Sequence, residues 1–282
     1  MPDSALNVLK AATRQLRQSD ISEAELDAKY IVSYVLGVPS NALYTQKSLI
    51  VSAHQQRTIA RMLKKRIAGE PLQYIIGNQE FYGLVFNVNS KVLIPRPETE
   101  LLVERALEKA EPVNEPRILD LCTGSGCIAV TLKTKLPHAK ITASDISSGA
   151  LRVARRNARQ HQAGIRLLKS DLFGRIKSKF DIIVSNPPYI SASDYRSLDR
   201  KVRAYEPKMA LLSGESGLDA IQSIIKNAKS HLCDGGWLLM EIGHNQRKNV
   251  EALMEKERYS EIHTFQDYSG FDRIVIGRKL IF

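Results

Sequence analysis

A short apolar run that ends at two consecutive prolines constrains the fold of this chain more than any other feature. The run, Phe180–Ser185, has the length and composition of a buried parallel strand. Proline cannot donate to a ladder of hydrogen bonds, so the strand must end at Asn186, before Pro187 and Pro188. The two prolines also hold the backbone in a rigid, extended form, and the aromatic residue Tyr189 follows them directly.

This turn predicts a site that holds a planar amino group. The side-chain oxygen of Asn186 and the carbonyl oxygen of Pro187 are two acceptors that can face one cleft, and an NH2 group has two hydrogens to donate. The ring of Tyr189 is a flat surface for an amide or a base. We therefore assign Asn186, Pro187 and Tyr189 as catalytic, and the whole segment, with Pro188, as substrate-binding. Asn-Pro is also common in turns, but the full string after a buried strand favours a site.

A glycine-containing loop predicts a second part of the site. It follows the apolar segment 117–121 and opens into a helical pattern. Glycines let the backbone approach a ligand, and a helix N-terminus offers free N–H groups to an anion. Asp145, which ends the next strand, is placed to accept hydrogen bonds from ribose hydroxyls, or to cap the following helix in competition with Ser147 and Ser148. The loop residues are Cys122, Thr123, Gly124, Ser125 and Gly126. Many nucleotide enzymes share this pattern, so only its combination with the proline turn is specific.

The order of predicted elements indicates the fold class. After Pro116, strands alternate with helices, which predicts an α/β fold with a Rossmann-like, mostly parallel sheet and right-handed crossovers. The predicted strands are 117–121, 140–145, 165–170, 180–185 and 236–242, followed by an antiparallel hairpin at 262–265 and 273–276. Ligands of such sheets bind beyond the carboxyl ends of the strands, where Asp120, Asp145, Asp171 and Asn186 lie. Asp120 and Asp171 can alternatively pair with one of the arginines.

The first part of the chain has a different pattern. Residues 1–75 read as a small helical domain, 76–98 as a linker with a β-hairpin (strands 81–88 and 92–94), and 99–282 as the sheet domain. The helical region carries a basic stripe, and a second stripe lies in the sheet domain. Their residues are Arg57, Arg61, Lys64 and Lys65 in the first, and Arg152, Arg155, Arg156 and Arg159 in the second. The net charge of +11 favours an anionic partner, although basic residues can simply solvate a surface.

Composition excludes several classes of protein. With 43% hydrophobic and 25% charged residues, the 282-residue chain is typical of a soluble globular protein. No apolar run reaches the ~18 residues of a membrane span, and no secretory signal is visible. The three cysteines and six histidines show no zinc-ligand spacing, so we expect no metal, small buried cysteines and a reducing cytoplasm.

These motifs resemble the class I methyltransferases that use S-adenosylmethionine and methylate an exocyclic or amide nitrogen. Further segments resemble one family within that class, HemK/PrmC, whose members methylate the glutamine side-chain nitrogen in the Gly-Gly-Gln loop of peptide chain release factors. The segments are 69–77, 81–83, 93–100, 205–207, 216–219 and 271–278. The resemblance covers nearly the whole chain from about residue 60 and, more loosely, the helical region.

The resemblance implies an S-adenosylmethionine-dependent protein-(glutamine-N5) methyltransferase that yields S-adenosylhomocysteine. It implies that residues 122–126 line the methionine end of the cofactor, that Asp145 binds the ribose, and that the backbone near Leu172, after Asp171, lies by the adenine. Asn186 would touch both cofactor and substrate. The implied partners are release factors, and we assign the helical domain to substrate docking.

Other functions remain open at this point. The form Cys-Thr-Gly-Ser-Gly-Cys also occurs in the sister family that methylates a ribosomal-protein glutamine, although segment 94–100 favours the release-factor branch. An adenine N6-methyltransferase would use the same two acceptors on nucleic acid, but needs base flipping on duplex DNA. An RNA-binding protein that has lost catalysis does not explain the intact turn, and a nucleotide-dependent oxidoreductase explains only the glycine loop.

Overall fold

The computed structural model describes residues 3–46 and 48–280, which form two compact units that divide between Gly77 and Asn78. The first unit is mainly helical, as its sequence pattern predicts. Its described elements are β1 (Asp3–Ser4), α1 (Ala5–Arg17), α2 (Ala24–Leu36), α3 (Ala42–Thr45), β2 (Ile50–Val51), α4 (Ala53–Ile67) and α5 (Leu72–Ile76).

The helical unit has a core of its own. Apolar residues on one face of each long helix, among them Leu16, Ile31 and Leu63, are buried against one another. Helix α4 begins with a capping box in which Ser52 accepts from the Gln55 backbone and the Gln55 side chain accepts from the Ser52 backbone. The helix presents an apolar face to the core and Arg57, Arg61 and Lys64 to solvent, whereas its Arg66 pairs with the buried Asp27 at 2.6 Å.

The second unit holds the remaining described elements. They are β3 (Asn78–Phe81), β4 (Leu84–Asn87), α6 (Glu100–Ala110), β5 (Arg117–Leu121), α7 (Cys127–Lys135), β6 (Lys140–Asp145), α8 (Ser148–Gln160), β7 (Arg166–Lys169), β8 (Phe180–Ser185), α9 (Ala192–Ser197), α10 (Arg200–Tyr205), α11 (Asp219–His231), β9 (Leu232–Glu241), α12 (Arg247–Lys256), β10 (Tyr259–Gln266) and β11 (Asp272–Lys279).

Seven strands form one sheet in the order β10-β11-β9-β8-β5-β6-β7. Strands β5 to β9 pair in parallel, and β11 is antiparallel to both β9 and β10. Neighbouring residues of the central strands point to opposite cores: Ile118 packs with α6 and α7, whereas Leu119 packs with α11 and α12. The predicted α/β class, with a parallel sheet and a terminal antiparallel hairpin, is confirmed.

Two expectations about strands are wrong in detail. The hairpin joins β3 to β4 through Tyr82 and Gly83, both with positive φ, which suits a tight two-residue turn. Residues 92–94 form no strand, although Val92 and Ile94 are buried. Strand β9 begins at Leu232 rather than at Gly236, because its pairing with β8 shifts register before Trp237.

None of the helices in the described ranges is both long and apolar enough to cross a membrane.

Candidate active site

The strand order brings the predicted site residues to one edge of the sheet. Strands β9, β8, β5, β6 and β7 are adjacent and parallel, so their carboxyl ends lie side by side. Along this edge follow Glu241, Asn186, the glycine loop, Asp145 and Asp171. The strand order therefore brings the proline turn and the glycine loop to the same edge of the sheet.

The side chain of Asn186 is held by two residues that sequence reasoning missed. Its Nδ2 donates to Glu241 Oε2 at 2.9 Å and to Thr99 Oγ1 at 3.1 Å. Thr99 Oγ1 in turn donates to the same Glu241 oxygen at 2.6 Å. Glu241 is only 1% exposed. Glu241 is the last residue but one of the predicted strand 236–242 and Thr99 begins a predicted helix, so a position near an element's end was the one available signal.

The acceptors predicted at the turn have no competing partner in the part of the chain that the structure describes. Within the described residues, neither Asn186 Oδ1 nor the Pro187 carbonyl oxygen accepts a hydrogen bond. Both hydrogen-bond partners of Asn186 Nδ2 are oxygen atoms that accept from it, so the amide is oriented with Oδ1 away from Glu241. The turn thus offers two acceptors, as an NH2 ligand requires.

Tyr189 is fixed at both ends. Its hydroxyl donates to Glu241 Oε1 at 3.1 Å, and burial, together with the Glu241 charge, raises the pKa of the phenol. Its carbonyl oxygen accepts from Gln246 Nε2 at 2.9 Å. A Cβ on Gly217 would come within 2.5 Å of that same carbonyl, so only glycine fits there.

Glu241 lies where three neighbouring side chains can donate hydrogen bonds to its carboxyl group. It accepts hydrogen bonds from Thr99, Asn186 and Tyr189, and such a set of donors suits a carboxylate that only accepts. Burial raises its pKa, while the Thr99 hydroxyl and the positive charge of Arg273 oppose that shift.

The glycine loop is tied to the end of β6. Gly124 donates its N–H to Asp145 Oδ2 at 2.9 Å, and Ser147 donates its N–H to Oδ1 at 2.8 Å. Ser147 also accepts from the Ala150 N–H and caps α8, so the alternative of Asp145 as the helix cap is wrong. Burial raises the pKa of Asp145, and the two N–H groups lower it.

Close packing and one buried asparagine shape the other side of the loop. A Cβ on Gly126 would lie 3.0 Å from Ala154 Cβ on α8, and φ is +81° there. The side chain of Asn157, also on α8 and fully buried, donates to the Ser125 carbonyl at 2.8 Å. It also exchanges hydrogen bonds with Asn87 of β4, so the hairpin supports the loop. Sequence reasoning missed Asn157, because an asparagine inside an arginine-rich helix carries no local signal.

Asp120 and Asp171 differ in their burial and in their hydrogen-bond partners. Asp120 is fully buried and accepts from Thr123 Oγ1 at 2.6 Å, while its Oδ1 has no partner among the described residues. Burial raises its pKa to about 7. Asp171 is exposed, and Leu172, with φ +39°, is half-buried. Neither aspartate forms an ion pair within the described ranges, so the alternative of an arginine partner is wrong.

The cysteines differ in burial. Cys127 is buried, whereas Cys122 and Cys233 are half-buried, so the expectation of three buried cysteines holds only for Cys127. Burial raises the pKa of the Cys122 thiol to about 12, and its φ of +59° takes the place of a turn glycine. Among the described residues, no three His, Cys, Asp or Glu side chains are grouped as metal ligands.

The basic stripes are exposed. In α4, Arg57, Arg61 and Lys64 are exposed, and Lys65 pairs with Glu70 at 3.3 Å. The four arginines of α8 are exposed and form no ion pair with the described residues.

The edge also fits S-adenosylmethionine. Gly124 has a φ of +55°, and a Cβ built on it meets nothing closer than 4.0 Å, so the loop leaves open space at this position. The half-buried Asp145 has both oxygens directed by backbone N–H groups and keeps lone pairs for ribose hydroxyls.

The sheet, the glycine loop and the proline turn define a Rossmann-like methyltransferase. The fold is similar to that of a methyltransferase from Pyrococcus furiosus (TM-score 0.52, 19% identity, 82% of this chain and 100% of that chain). It is also similar to the hMettl16 catalytic domain (TM-score 0.57, 14% identity, 81% and 84%). At these identities the likeness concerns the fold alone.

Sequence similarity identifies the family. Residues 7–77 match the PrmC N-terminal domain, and residues 97–201 match the methyltransferase small domain. The chain is 39% identical over 264 residues to the release factor glutamine methyltransferase of Geobacter sulfurreducens, covering 93% of this chain and 92% of that protein. It is 40% identical over 275 residues to that of Vibrio cholerae, covering 96% and 95%. The chain belongs to the release factor glutamine methyltransferase family, as its motifs predicted.

Proposed function

We propose that this protein transfers a methyl group from S-adenosylmethionine to the side-chain amide nitrogen of the glutamine in the Gly-Gly-Gln motif of peptide chain release factors, in the cytoplasm. The observation that carries the proposal is the pair of acceptors, Asn186 Oδ1 and the Pro187 carbonyl, beside the glycine loop. Family membership supports the choice of a glutamine amide over an adenine.

Orientation of the nitrogen supplies much of the rate in this mechanism. An amide nitrogen is a weak nucleophile because its lone pair is delocalised, and no side chain at neutral pH removes its proton easily. Asn186 and Pro187 accept both N–H hydrogens and hold the nitrogen in line for attack, for which orientation offers a ceiling of ~7–11 kcal/mol. The same oxygens stabilise the positive charge that develops on the nitrogen, and the proton leaves afterwards.

The cofactor would be held by the residues of the glycine loop, 122–126, with Asp145 on the ribose and residues near Asp171 and Leu172 by the adenine. When bound, S-adenosylmethionine supplies a methyl group attached to a positively charged sulfur. Tyr189 and Pro188 line the substrate side, with the Tyr189 ring fixed by its bond to Glu241.

The helical unit is the proposed docking surface. Arg57, Arg61 and Lys64 form an exposed basic face on α4, and a face of this kind attracts a partner surface of negative charge. Free glutamine would place a charged ammonium and carboxylate in the cleft, where each needs a partner. A loop peptide must lose more conformational entropy than the folded factor does. We therefore expect methylation to decrease from the whole factor to the loop peptide, with none on free glutamine.

Mass spectrometry of a purified release factor, incubated with the full-length protein and labelled S-adenosylmethionine, tests the proposal. We expect one added methyl group on the loop glutamine, and none on a control factor in which that glutamine is replaced. Label on a ribosomal-protein glutamine, or on adenine of DNA or RNA, with none on any release factor, would overturn the proposal in favour of those substrates.

A further inference from the structure

We propose that Glu241 is a positioning residue that sets the direction of the Asn186 amide, so that an acceptor and not a donor faces the substrate. The inference deepens the proposed function and rests on it. Its basis is the network in which Glu241 Oε2 lies 2.9 Å from Asn186 Nδ2, at the carboxyl end of β9.

The direction of this amide decides whether the site works. The oxygen and nitrogen of an asparagine amide are similar in size, so a half-turn of the group replaces an acceptor with a donor. A flipped Asn186 would point N–H groups at the NH2 of the substrate, and two donors repel each other. Something in the protein must therefore favour one of the two orientations.

The network permits a single arrangement of donors. An ionised carboxylate can only accept, so Glu241 requires Nδ2 on its side. Thr99 uses its one hydroxyl hydrogen on Glu241, at 2.6 Å, and has only lone pairs left for Asn186. Tyr189 donates to the other Glu241 oxygen. Both groups that face Asn186 Nδ2 are thereby acceptors.

Among the described residues, Glu241 forms no ion pair that would account for a buried charge. Glu241 is 1% exposed, and burying a charge there disfavours the folded state relative to a neutral side chain of similar size. Arg273 lies close enough to influence Glu241, but its Nε and Nη2 already bind Asp267 Oδ2, each at 3.1 Å. A role in orienting Asn186 explains the presence of a charge at this position.

Glu241→Gln is the direct test, because it changes the hydrogen-bond pattern with little change in shape. The Tyr189 hydroxyl still needs an acceptor, so the Gln oxygen turns toward it and the Gln NH2 turns toward Asn186. Asn186 then flips. If Asn186 does not flip, one hydrogen bond of the network is left unmade, which disfavours that arrangement. We expect kcat on the release factor to fall by about 10- to 100-fold, with the KM and the affinity for S-adenosylmethionine nearly unchanged.

A second substitution should reverse the defect. In the double variant Asn186→Asp/Glu241→Gln, the Gln NH2 donates to the new carboxylate, whose other oxygen again faces the substrate as an acceptor. We expect its kcat to exceed that of Glu241→Gln by about tenfold, the size of one such hydrogen bond. Glu261→Gln, at an exposed glutamate that pairs with Arg278, is the matched control and should retain full activity. Wild-type kcat in Glu241→Gln, or no recovery in the double variant, overturns the proposal.

Hydrogen exchange in the unmutated protein tests the same network without depending on a variant that folds. We expect the side-chain NH2 of Asn186 to exchange more slowly than that of the exposed Asn245. Equal exchange rates would contradict the positioning role. Failure of the proposed function would appear differently: the wild-type protein would leave the release factor unlabelled, while the exchange result and the variant ratios on its true substrate would still report on Glu241.

Discussion

Gly124 donates its backbone N–H to the Asp145 carboxylate over 2.9 Å, which joins the glycine loop to the end of the neighbouring strand. The second oxygen accepts from Ser147 at 2.8 Å. The carboxylate is thus oriented by two backbone groups of the loops on either side, and it forms no ion pair with the described residues. A carboxylate held in this way is suited to bind a ligand.

Asp145→Ala should weaken the binding of S-adenosylmethionine. Each hydrogen bond from a ribose hydroxyl to a charged group contributes ~1.5–3 kcal/mol, so we expect at least a tenfold loss of affinity by calorimetry. Asp145→Asn keeps one acceptor oxygen and should lose less affinity for S-adenosylmethionine than Asp145→Ala does. A folded alanine variant with unchanged affinity would refute the ribose assignment.

Asn186→Ala should separate binding from chemistry. The side chain contacts the substrate amide, and its contribution is made mainly in the transition state, so single-turnover methylation should be lost while cofactor affinity is nearly intact. Asn245→Ala, at an exposed asparagine, is the control and should behave as wild type. A near-normal rate in the Asn186 variant would exclude the two-acceptor mechanism.

Gly126→Ala should destabilise the protein more than Gly270→Ala. Both glycines have a φ of +81°, so both substitutions carry the same backbone penalty. The added methyl group meets Ala154 Cβ at 3.0 Å at position 126, whereas it meets nothing within 4 Å at position 270. Overpacking adds ~1–3 kcal/mol, which urea unfolding of the two variants can measure. Equal losses of stability in the two variants would mean that the glycine loop can move away from Ala154 without a free-energy cost.

Asp120→Asn should stabilise the protein at alkaline pH. Burial raises the pKa of Asp120 from 3.8 to about 7, so the folded state binds its proton more tightly than the unfolded state does. The contribution of this group to stability therefore falls as the pH rises from about 4 to above 7, by a few kcal/mol at most. Thermal unfolding should show that the stability of the variant relative to wild type increases between pH 5 and pH 8. A difference that does not depend on pH would contradict the raised pKa.

Charge reversal on the helical unit should affect the whole factor more than a loop peptide. With Arg57, Arg61 and Lys64 changed to Glu, we expect the KM for the folded release factor to rise and that for the peptide to stay the same. Reversal of Arg152, Arg155 and Arg156 on α8 is the matched control, with the same change in charge on another exposed face. Equal effects of the two sets on the whole factor would exclude a specific docking role for α4.

The parts of the fold that the sequence predicted are those that local chemistry governs. Pro187 and Pro188 end β8 wherever that strand lies in the sheet, because they lack an N–H for the ladder. Strands 117–121 and 140–145 were predicted because short strand-like segments alternate with helical patterns after Pro116. The two-residue turn at Tyr82 was missed, since that residue rarely adopts a positive φ and so gave no turn signal.

The orientation of the site was decided by the tertiary structure alone. Glu241 is 55 residues from Asn186 and 142 residues from Thr99, and nothing local to any of them indicates that they meet. Glu241 and Asn186 meet because β9 pairs with β8 in register, Met240 opposite Ser185, which places the next residue of each strand at the same edge. The sequence by itself determined which residue carries the acceptor. Strand pairing, which depends on the packing of the whole sheet, decided which way that acceptor points.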